Sequence, residues 1–172
     1  DRTLHKYYIC LTKGKIEKPD HIRGYLHKDK KTNKVIVSRQ EFKDSLPIET
    51  KYRPLGSNGK ITLLEVELIT GRTHQIRAHL AGTGHPLLGD TKYGDSEFNK
   101  QYIRHGVRHQ LLHAYRLVIP ETDQAFVAPV PELFFKIINE EHLQEAYHEN
   151  LERCMGLCKN DHHSGADRNT HK

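Results

Sequence analysis

Two strand-like segments joined by an Asn-Gly turn most constrain what this chain can fold into. Residues 48–55 alternate roughly between apolar and polar side chains, and residues 61–69 (ITLLEVELI) are the most strand-like stretch of the sequence. Between them lies Ser57-Asn58-Gly59. An Asn-Gly pair between two strand-like segments is typical of a tight turn. The pattern therefore predicts an antiparallel β-hairpin.

Further strands and a few helices are predicted around this hairpin. A turn at 29–34 separates two of the strands, and the long polar stretch 85–110 has the composition of a loop. Thr73 is a candidate cap for a short helix that ends at Gly82 or Gly84, and Pro131 can open a helix over residues 132–153. No regular alternation of strands and helices is visible. The fold class expected is α+β, with a mixed, mainly antiparallel sheet and a few flanking helices. The remaining predicted strands are residues 6–12 (KYYICLT), 21–26, 35–38, 111–119 and 125–130.

Length and composition exclude several classes of protein. The chain of 172 residues is the size of one domain, or of a large part of one. No apolar run approaches the roughly 18 residues needed to span a bilayer, and no signal peptide is recognisable, so no membrane partner is expected. With three cysteines and no export signal, reduced thiols in the cytoplasm are the simplest interpretation. We expect a domain over residues 1–153 and a polar tail over 154–172.

The positive charge is concentrated in the first third of the chain. Residues 1–60 contain 15 Lys or Arg and 7 Asp or Glu, a balance of +8, whereas residues 61–130 are balanced and residues 131–172 carry −3. A basic surface of this kind suits a polyanion, because lysines near phosphates release counterions. A solvated lysine-rich face explains the same numbers. The lysine-rich segment 13–34 is the candidate contact for a nucleic acid.

The segment 71–79 (GRTHQIRAH) is the richest in groups that can do chemistry. It places two arginines and two histidines within nine residues, at the junction of a predicted strand and a predicted helix. Arginine binds phosphate or carboxylate through two parallel hydrogen bonds, and a helix start also attracts anions. A functional site is therefore favoured here over a merely solvated helix surface.

At this segment the sequence resembles the RluA-type pseudouridine synthases, which isomerise uridine in ribosomal or transfer RNA. The resemblance runs from about residue 3 to about residue 140, and its blocks are specific because they occur together in this order. They are 6–8 (KYY) with Gly14, 71–79 (GRTHQIRAH), 84–90 (GHPLLGD), 92–94 (KYG) and 111–114 (LLHA).

The resemblance implies roles for five residues. Tyr8 matches the active-site tyrosine, which packs against the target base and takes part in removing its proton. Arg77 matches the basic residue that pairs with the catalytic aspartate. Arg72, His74 and Gln75 belong to the same motif and would support the site or touch RNA. The implied function is an RNA pseudouridine synthase that acts by base flipping, without a cofactor or a metal, and with a monomer favoured.

The family's nucleophilic aspartate lies in a His-Arg-Leu-Asp motif upstream of the tyrosine strand, and this sequence has no such motif. We do not assign that role to Asp1. Asp90 is a tempting substitute, although a carboxylate that holds its own turn by hydrogen bonds is the favoured interpretation. We therefore expect a pseudouridine synthase-like fold whose N-terminal part is missing, with the nucleophile outside these residues and the partner of Arg77 not supplied by them. The 172 residues alone should then be inactive.

Two alternatives to a cofactor-free enzyme remain open. A non-catalytic RNA-binding module of the same fold would also carry the basic surface, and the missing aspartate favours it; a structural protein of a larger assembly has no specific support. Cys154 and Cys158, with His162 and His163, have a loosely metal-like spacing, but a chance grouping in a polar tail is the favoured explanation.

Overall fold

The computed structural model describes residues 4–152, and these form one continuous antiparallel sheet with helices on both faces. The order of the strands across the sheet is β3-β2-β4-β5-β1-β6-β7. The strands are β1 (His5–Lys13), β2 (Asp20–Lys28), β3 (Val35–Ser38), β4 (Leu46–Ser57), β5 (Ile61–Leu68), β6 (Leu112–Ile119) and β7 (Gln124–Val127), and the helices are α1 (Gln75–Gly82), α2 (Ser96–Ile103), α3 (Glu132–Glu140) and α4 (Gln144–Tyr147), followed by a π-helical turn, His148–Glu152.

The hairpin predicted from the Asn-Gly turn is confirmed and lies in the middle of the sheet. β4 and β5 pair in antiparallel register, and Gly59 has the positive φ, +87°, that the turn requires. The Asn58 side chain closes the turn, because its Oδ1 accepts from the amides of Lys60 and Ile61. β1 pairs with β5 on one side and with β6 on the other. The first strand is therefore central in the sheet rather than at its edge.

Alternation of side chains along the central strands divides the core into two layers. On β1, Ile9 and Leu11 face a layer that contains α2, α3 and α4, whereas Tyr8 and Cys10 face the layer that contains α1. Both faces of the central strands are covered, which explains why residues 61–66 are buried without interruption. The α+β fold class expected from the sequence is confirmed.

Three sequence-based expectations about the helices are wrong. Residues 85–110 are not only loop: α2 forms there, capped by the Asp95 carboxylate, which accepts from Phe98 N, and its apolar residues are too few for the pattern to be obvious. Thr73 does not cap α1; the N-cap position is His74, with a left-handed φ of +55° and no side-chain cap. The helix predicted over 132–153 is interrupted after α3, where His142 has a φ of +57°.

No helix within residues 4–152 combines the length and apolarity needed to cross a bilayer. The predicted polar tail 154–172 lies outside the described residues, and so do the two cysteines and two histidines considered as metal ligands.

Candidate active site

The segment 71–79 is fastened to the sheet by the buried amide of Gln75, the first residue of α1. Its Oε1 accepts from Thr70 Oγ1 (2.8 Å) and from Arg72 N (3.1 Å). Its Nε2 donates to Glu49 O (2.9 Å) and to Thr50 Oγ1 (3.1 Å) on β4. These four bonds use the amide's hydrogen-bonding capacity. Gln75 therefore supports the site by holding the strand-to-helix junction in place.

Tyr8 and Arg77 line one open pocket of about 340 Å³ between β1 and the start of α1. This volume is at the small end for ligand-binding clefts. Tyr8 projects from the strand onto the α1 side of the sheet, and Arg77 projects from the first turn of the helix. The sequence-based prediction that these two residues share a site is consistent with this placement, although their catalytic roles remain predictions. The pocket is lined by Tyr8, Leu68, Arg72, His74, Gln75, Ile76, Arg77, Gln110 and Leu112.

Arg77 forms a two-bond ion pair with Asp90. Nε donates to Oδ2 (2.7 Å) and Nη2 to Oδ1 (2.8 Å), the arrangement that matches a guanidinium to a carboxylate best. The Asp90 side chain is fully buried, and its Oδ1 also accepts from the amides of Lys92 and Tyr93. Burial alone raises the pKa of the Asp90 carboxyl, but the bonds from Arg77, Tyr93 N and Lys92 N together hold that pKa below its usual range. Asp90 is therefore ionised at neutral pH.

The expectation that no residue of this chain supplies an acidic partner for Arg77 is wrong, because Asp90 supplies one. The favoured interpretation of Asp90, a carboxylate that holds its own turn, agrees with its two backbone bonds. Its oxygens accept four hydrogen bonds and its side chain has no exposed surface, so it cannot reach a bound nucleotide as a nucleophile. Arg77 Nη1 has no partner within residues 4–152, which leaves donors for a second anionic group.

Arg72 is the exposed cation of the motif. Its side chain has no ion-pair partner within the described part of the chain, and it lines both the Tyr8 pocket and a neighbouring groove of about 630 Å³. That groove, which we call the hairpin groove, also contains the exposed Lys28 and Lys30 at the tip of the β2–β3 hairpin. Three cationic side chains therefore lead from the hairpin to the pocket, along a groove that also contains Asp29 and Asp44. The groove is lined by Leu26, His27, Lys28, Asp29, Lys30, Asp44, Leu46, Arg72 and Thr73.

His79, the second histidine of the motif, is buried beneath the site instead of facing it. Its Nδ1 lies 3.0 Å from Thr50 Oγ1, a hydroxyl that also accepts from Gln75 Nε2 and has its own proton available for a neutral imidazole. Burial lowers the pKa of His79 to about 4. The ring is therefore neutral and structural.

The buried His79 should make the fold acid-sensitive. Its folded pKa of about 4 lies below the ordinary 6.5, so the unfolded chain binds the extra proton first as pH falls. Stability should drop by roughly 3 kcal/mol between pH 6.5 and pH 4 on account of this group. Urea denaturation of the wild type and of His79→Gln across this pH range measures the drop. The free energy of unfolding of the variant should fall less steeply as the pH decreases. His109→Gln, a change at an exposed histidine, should keep the wild-type slope, and equal slopes in all three proteins would contradict the prediction.

Five residues of the site were not named from the sequence, and two of them are the apolar pocket residues Leu68 and Ile76. Gln110 and Leu112 line the pocket, and Tyr93 packs over the Arg77 guanidinium with 5.2 Å between its ring centre and Cζ. Tyr93 lies in the block 92–94 (KYG), so the sequence contained a signal that could have marked it as a site residue. Gln110 has no sequence signal, because only the pairing of β6 with β1 carries it to the pocket.

No group of three or more His, Cys, Asp or Glu residues within 4–152 is arranged to hold a metal ion. Burial raises the pKa of the Cys10 thiol far above its usual value, so this cysteine is not a nucleophile at neutral pH.

Comparisons with known proteins identify the family of this chain. The family model described as RNA pseudouridylate synthase matches residues 1–82. Ribosomal large subunit pseudouridine synthase C of Vibrio vulnificus is 31% identical over 142 residues, which cover 80% of this chain and 44% of that protein. Ribosomal large subunit pseudouridine synthase D of Nitrosomonas europaea is 35% identical over 139 residues, covering 76% and 39%. This chain belongs to the RluA-type pseudouridine synthase family.

A solved structure supports the fold of this family member. Human RNA Pseudouridylate Synthase Domain Containing 4 superposes with a TM-score of 0.62 at 23% identity, covering 83% of this chain and 63% of that one. The chain spans less than half the length of the two bacterial synthases.

Proposed function

We propose that the protein containing this chain isomerises uridine to pseudouridine in ribosomal or transfer RNA, in the cytoplasm, and that residues 1–153 are part of its catalytic domain. The observation that carries this proposal is the shared pocket of Tyr8 and Arg77, with Arg72 at its rim. Each of these residues suits one need of a flipped nucleotide. The Tyr8 ring can stack on the base, the oriented Arg77 guanidinium can keep a carboxylate beside the sugar ionised, and the exposed Arg72 can bind the phosphate. The names of the bacterial relatives favour ribosomal RNA.

The chemistry proposed uses the pocket in three steps. The uridine leaves its stack and its base packs against Tyr8. A carboxylate from outside these residues, kept ionised by the free donors of Arg77, attacks C1′ of the ribose, and the bond between C1′ and the base nitrogen breaks with its electron pair staying on the base. The base turns and its C5 attacks C1′, which displaces the carboxylate. Tyr8 helps to remove the C5 proton, and the base nitrogen takes up a proton. The product is an isomer of the substrate, so the reaction needs no oxidant and no cofactor.

The hairpin groove is proposed to hold RNA that flanks the target uridine. Lys28 and Lys30 are exposed, have no ion-pair partner within residues 4–152, and lead to Arg72 at the pocket. Lysines so placed attract phosphates without reading sequence. Asp29 in the same groove is already engaged by the turn, since its carboxylate accepts from Lys31 N and Thr32 Oγ1.

Neutralising the hairpin lysines should weaken RNA binding and lower its salt dependence. A Lys28→Gln, Lys30→Gln, Lys31→Gln variant should lose about one unit of slope in log Kd against log salt for each phosphate contact removed. Filter binding between 50 and 300 mM KCl measures this. Lys136→Gln, on α3 at the opposite face of the sheet, is the control and should bind like the wild type. An unchanged slope in the triple variant would remove the hairpin from the RNA-binding surface.

A tritium-release assay tests the proposed activity. The full-length gene product is incubated with RNA that carries tritium at uridine C5, because formation of the carbon–carbon bond expels that hydrogen. Release from ribosomal or transfer RNA is expected, and the 172 residues alone should release none. Turnover by the short chain would place the nucleophile within it.

The second candidate, an RNA-binding module without activity, predicts a different result in the same assay. It keeps salt-dependent binding through Arg72 and the hairpin groove but releases no tritium from any RNA. The absence of the family's aspartate motif from these 172 residues is the observation that favours it.

A further inference from the structure

A short turn beside the pocket, residues 90–94, connects parts of the protein that lie far apart in sequence. Asp90 at its start holds Arg77, and Lys92 Nζ donates to Asn33 O in the β2–β3 turn (2.5 Å). The Tyr93 hydroxyl at its end contacts both the first residue of β3 and His74. Gly94 closes the turn, because any side chain there would collide with the Asp90 carbonyl oxygen. The turn thus contacts two residues of the pocket, Arg77 and His74.

One hydrogen bond at the Tyr93 hydroxyl has a fixed direction, and it leaves the hydroxyl proton available for the other contact. Val35 N lies 2.9 Å from the hydroxyl oxygen, and an amide can only donate, so the oxygen accepts this bond. His74 Nδ1 lies 3.0 Å from the same oxygen. The hydroxyl proton is therefore free to be donated to Nδ1, which leaves the ring proton of a neutral His74 on Nε2.

His74 is kept neutral by its surroundings. Burial, together with the positive charges of Arg77, Lys92 and Lys28, lowers the pKa of His74, and the negative charge of Asp90 opposes them only in part. At neutral pH the imidazole therefore offers one acceptor and one donor. The acceptor faces Tyr93, so the donor is the atom left for a ligand.

The position of His74 depends on this contact. Its backbone is left-handed, with φ +55°, and its side chain makes no capping bond to α1. The His74 and Tyr93 rings meet edge to face with centroids 5.6 Å apart. The His74 side chain lines the pocket, and the Tyr93 ring and hydroxyl contact it there.

We propose that Tyr93 is a positioning residue that fixes His74 as an Nε2–H donor to the nucleotide in the Tyr8 pocket. This inference rests on the proposed function and names the group on the protein that would meet an acceptor oxygen of the substrate. Because the Tyr93 hydroxyl also accepts from Val35 N, it contacts both the base of the lysine-rich hairpin and the pocket wall.

Tyr93→Phe in the full-length protein isolates the hydroxyl, because the ring over Arg77 is retained. We expect kcat/KM to fall about tenfold, the equivalent of one hydrogen bond to the substrate. His74→Ala should lower it by a similar factor, and the double variant should be no worse than His74→Ala alone. Tyr25→Phe is the matched control: it lies on the same hairpin, its hydroxyl has no partner within residues 4–152, and kcat/KM should not change.

Nitrogen NMR of ¹⁵N-histidine-labelled protein supplies a readout that needs no turnover. His74, assigned by the signals missing in His74→Gln, should show an unprotonated Nδ1 in the wild type and a mixture of tautomers in Tyr93→Phe. Two results would overturn the positioning role. One is an unchanged tautomer in Tyr93→Phe, and the other is a Tyr93→Phe change that lowers kcat/KM as much in the His74→Ala background as in the wild type. Absence of tritium release from the wild type instead contradicts the proposed function and leaves the NMR result as the test of the Tyr93–His74 contact.

Discussion

Replacing Asp90 by Ala should lower the free energy of unfolding by about 3–5 kcal/mol. The change removes the partner of the Arg77 guanidinium, whose side chain is only 13% exposed. Removing one member of a buried ion pair leaves an uncompensated charge. Two backbone amides, of Lys92 and Tyr93, lose their acceptor as well. Urea denaturation of the chain at pH 7 measures the loss.

A double-mutant cycle separates the stability due to the Arg77–Asp90 ion pair from the stability due to the backbone bonds that Asp90 accepts in its turn. Arg77→Leu combined with Asp90→Leu should be less destabilised than the sum of the single changes, because no unpaired charge remains. Glu97→Gln is the control: Glu97 pairs with Lys100 on the exposed face of α2, and its loss should cost less than about 1 kcal/mol. Additive effects in the cycle would show that the pair contributes little coupling.

Tyr8→Phe in the full-length protein should lower turnover by a factor on the order of 10²–10⁴ while RNA binding stays within about twofold of the wild type. The variant keeps the ring that we propose packs against the base and loses only the hydroxyl that we propose takes part in proton removal. Single-turnover tritium release and filter binding measure the two quantities separately. The loss should appear in kcat and not in the affinity for RNA.

Tyr7→Phe is the matched control for this experiment. It changes the neighbouring residue of β1, whose ring lies on the opposite face of the sheet against the Arg116 guanidinium, 4.0 Å away. The ring remains in the variant, so this contact is kept and turnover should be that of the wild type. Equal losses in Tyr7→Phe and Tyr8→Phe would mean that Tyr8 acts through the stability of the strand and not in catalysis.

Local patterns in the sequence determined most of the strands and the family. The Asn-Gly turn determined the central hairpin because its backbone conformation is available to few residues, and the strand-like composition of 61–69 predicted the second strand of that hairpin. The order of several short blocks, from 6–8 to 111–114, carried the resemblance to the family, and that resemblance named Tyr8 and Arg77 as site residues. Each block is a pattern of neighbours along the chain.

Only the tertiary structure decided what those residues touch. Arg77 and Asp90 are thirteen residues apart, and Val35 and Tyr93 are 58 apart, so no periodicity links them. The buried role of His79, the saturation of Asp90 and the bond from Tyr93 to His74 all depend on how the turn 90–94 packs against α1 and the β2–β3 hairpin. A sequence records which groups are available, whereas burial and long-range hydrogen bonds decide which of them face a substrate and which are used to hold the site together.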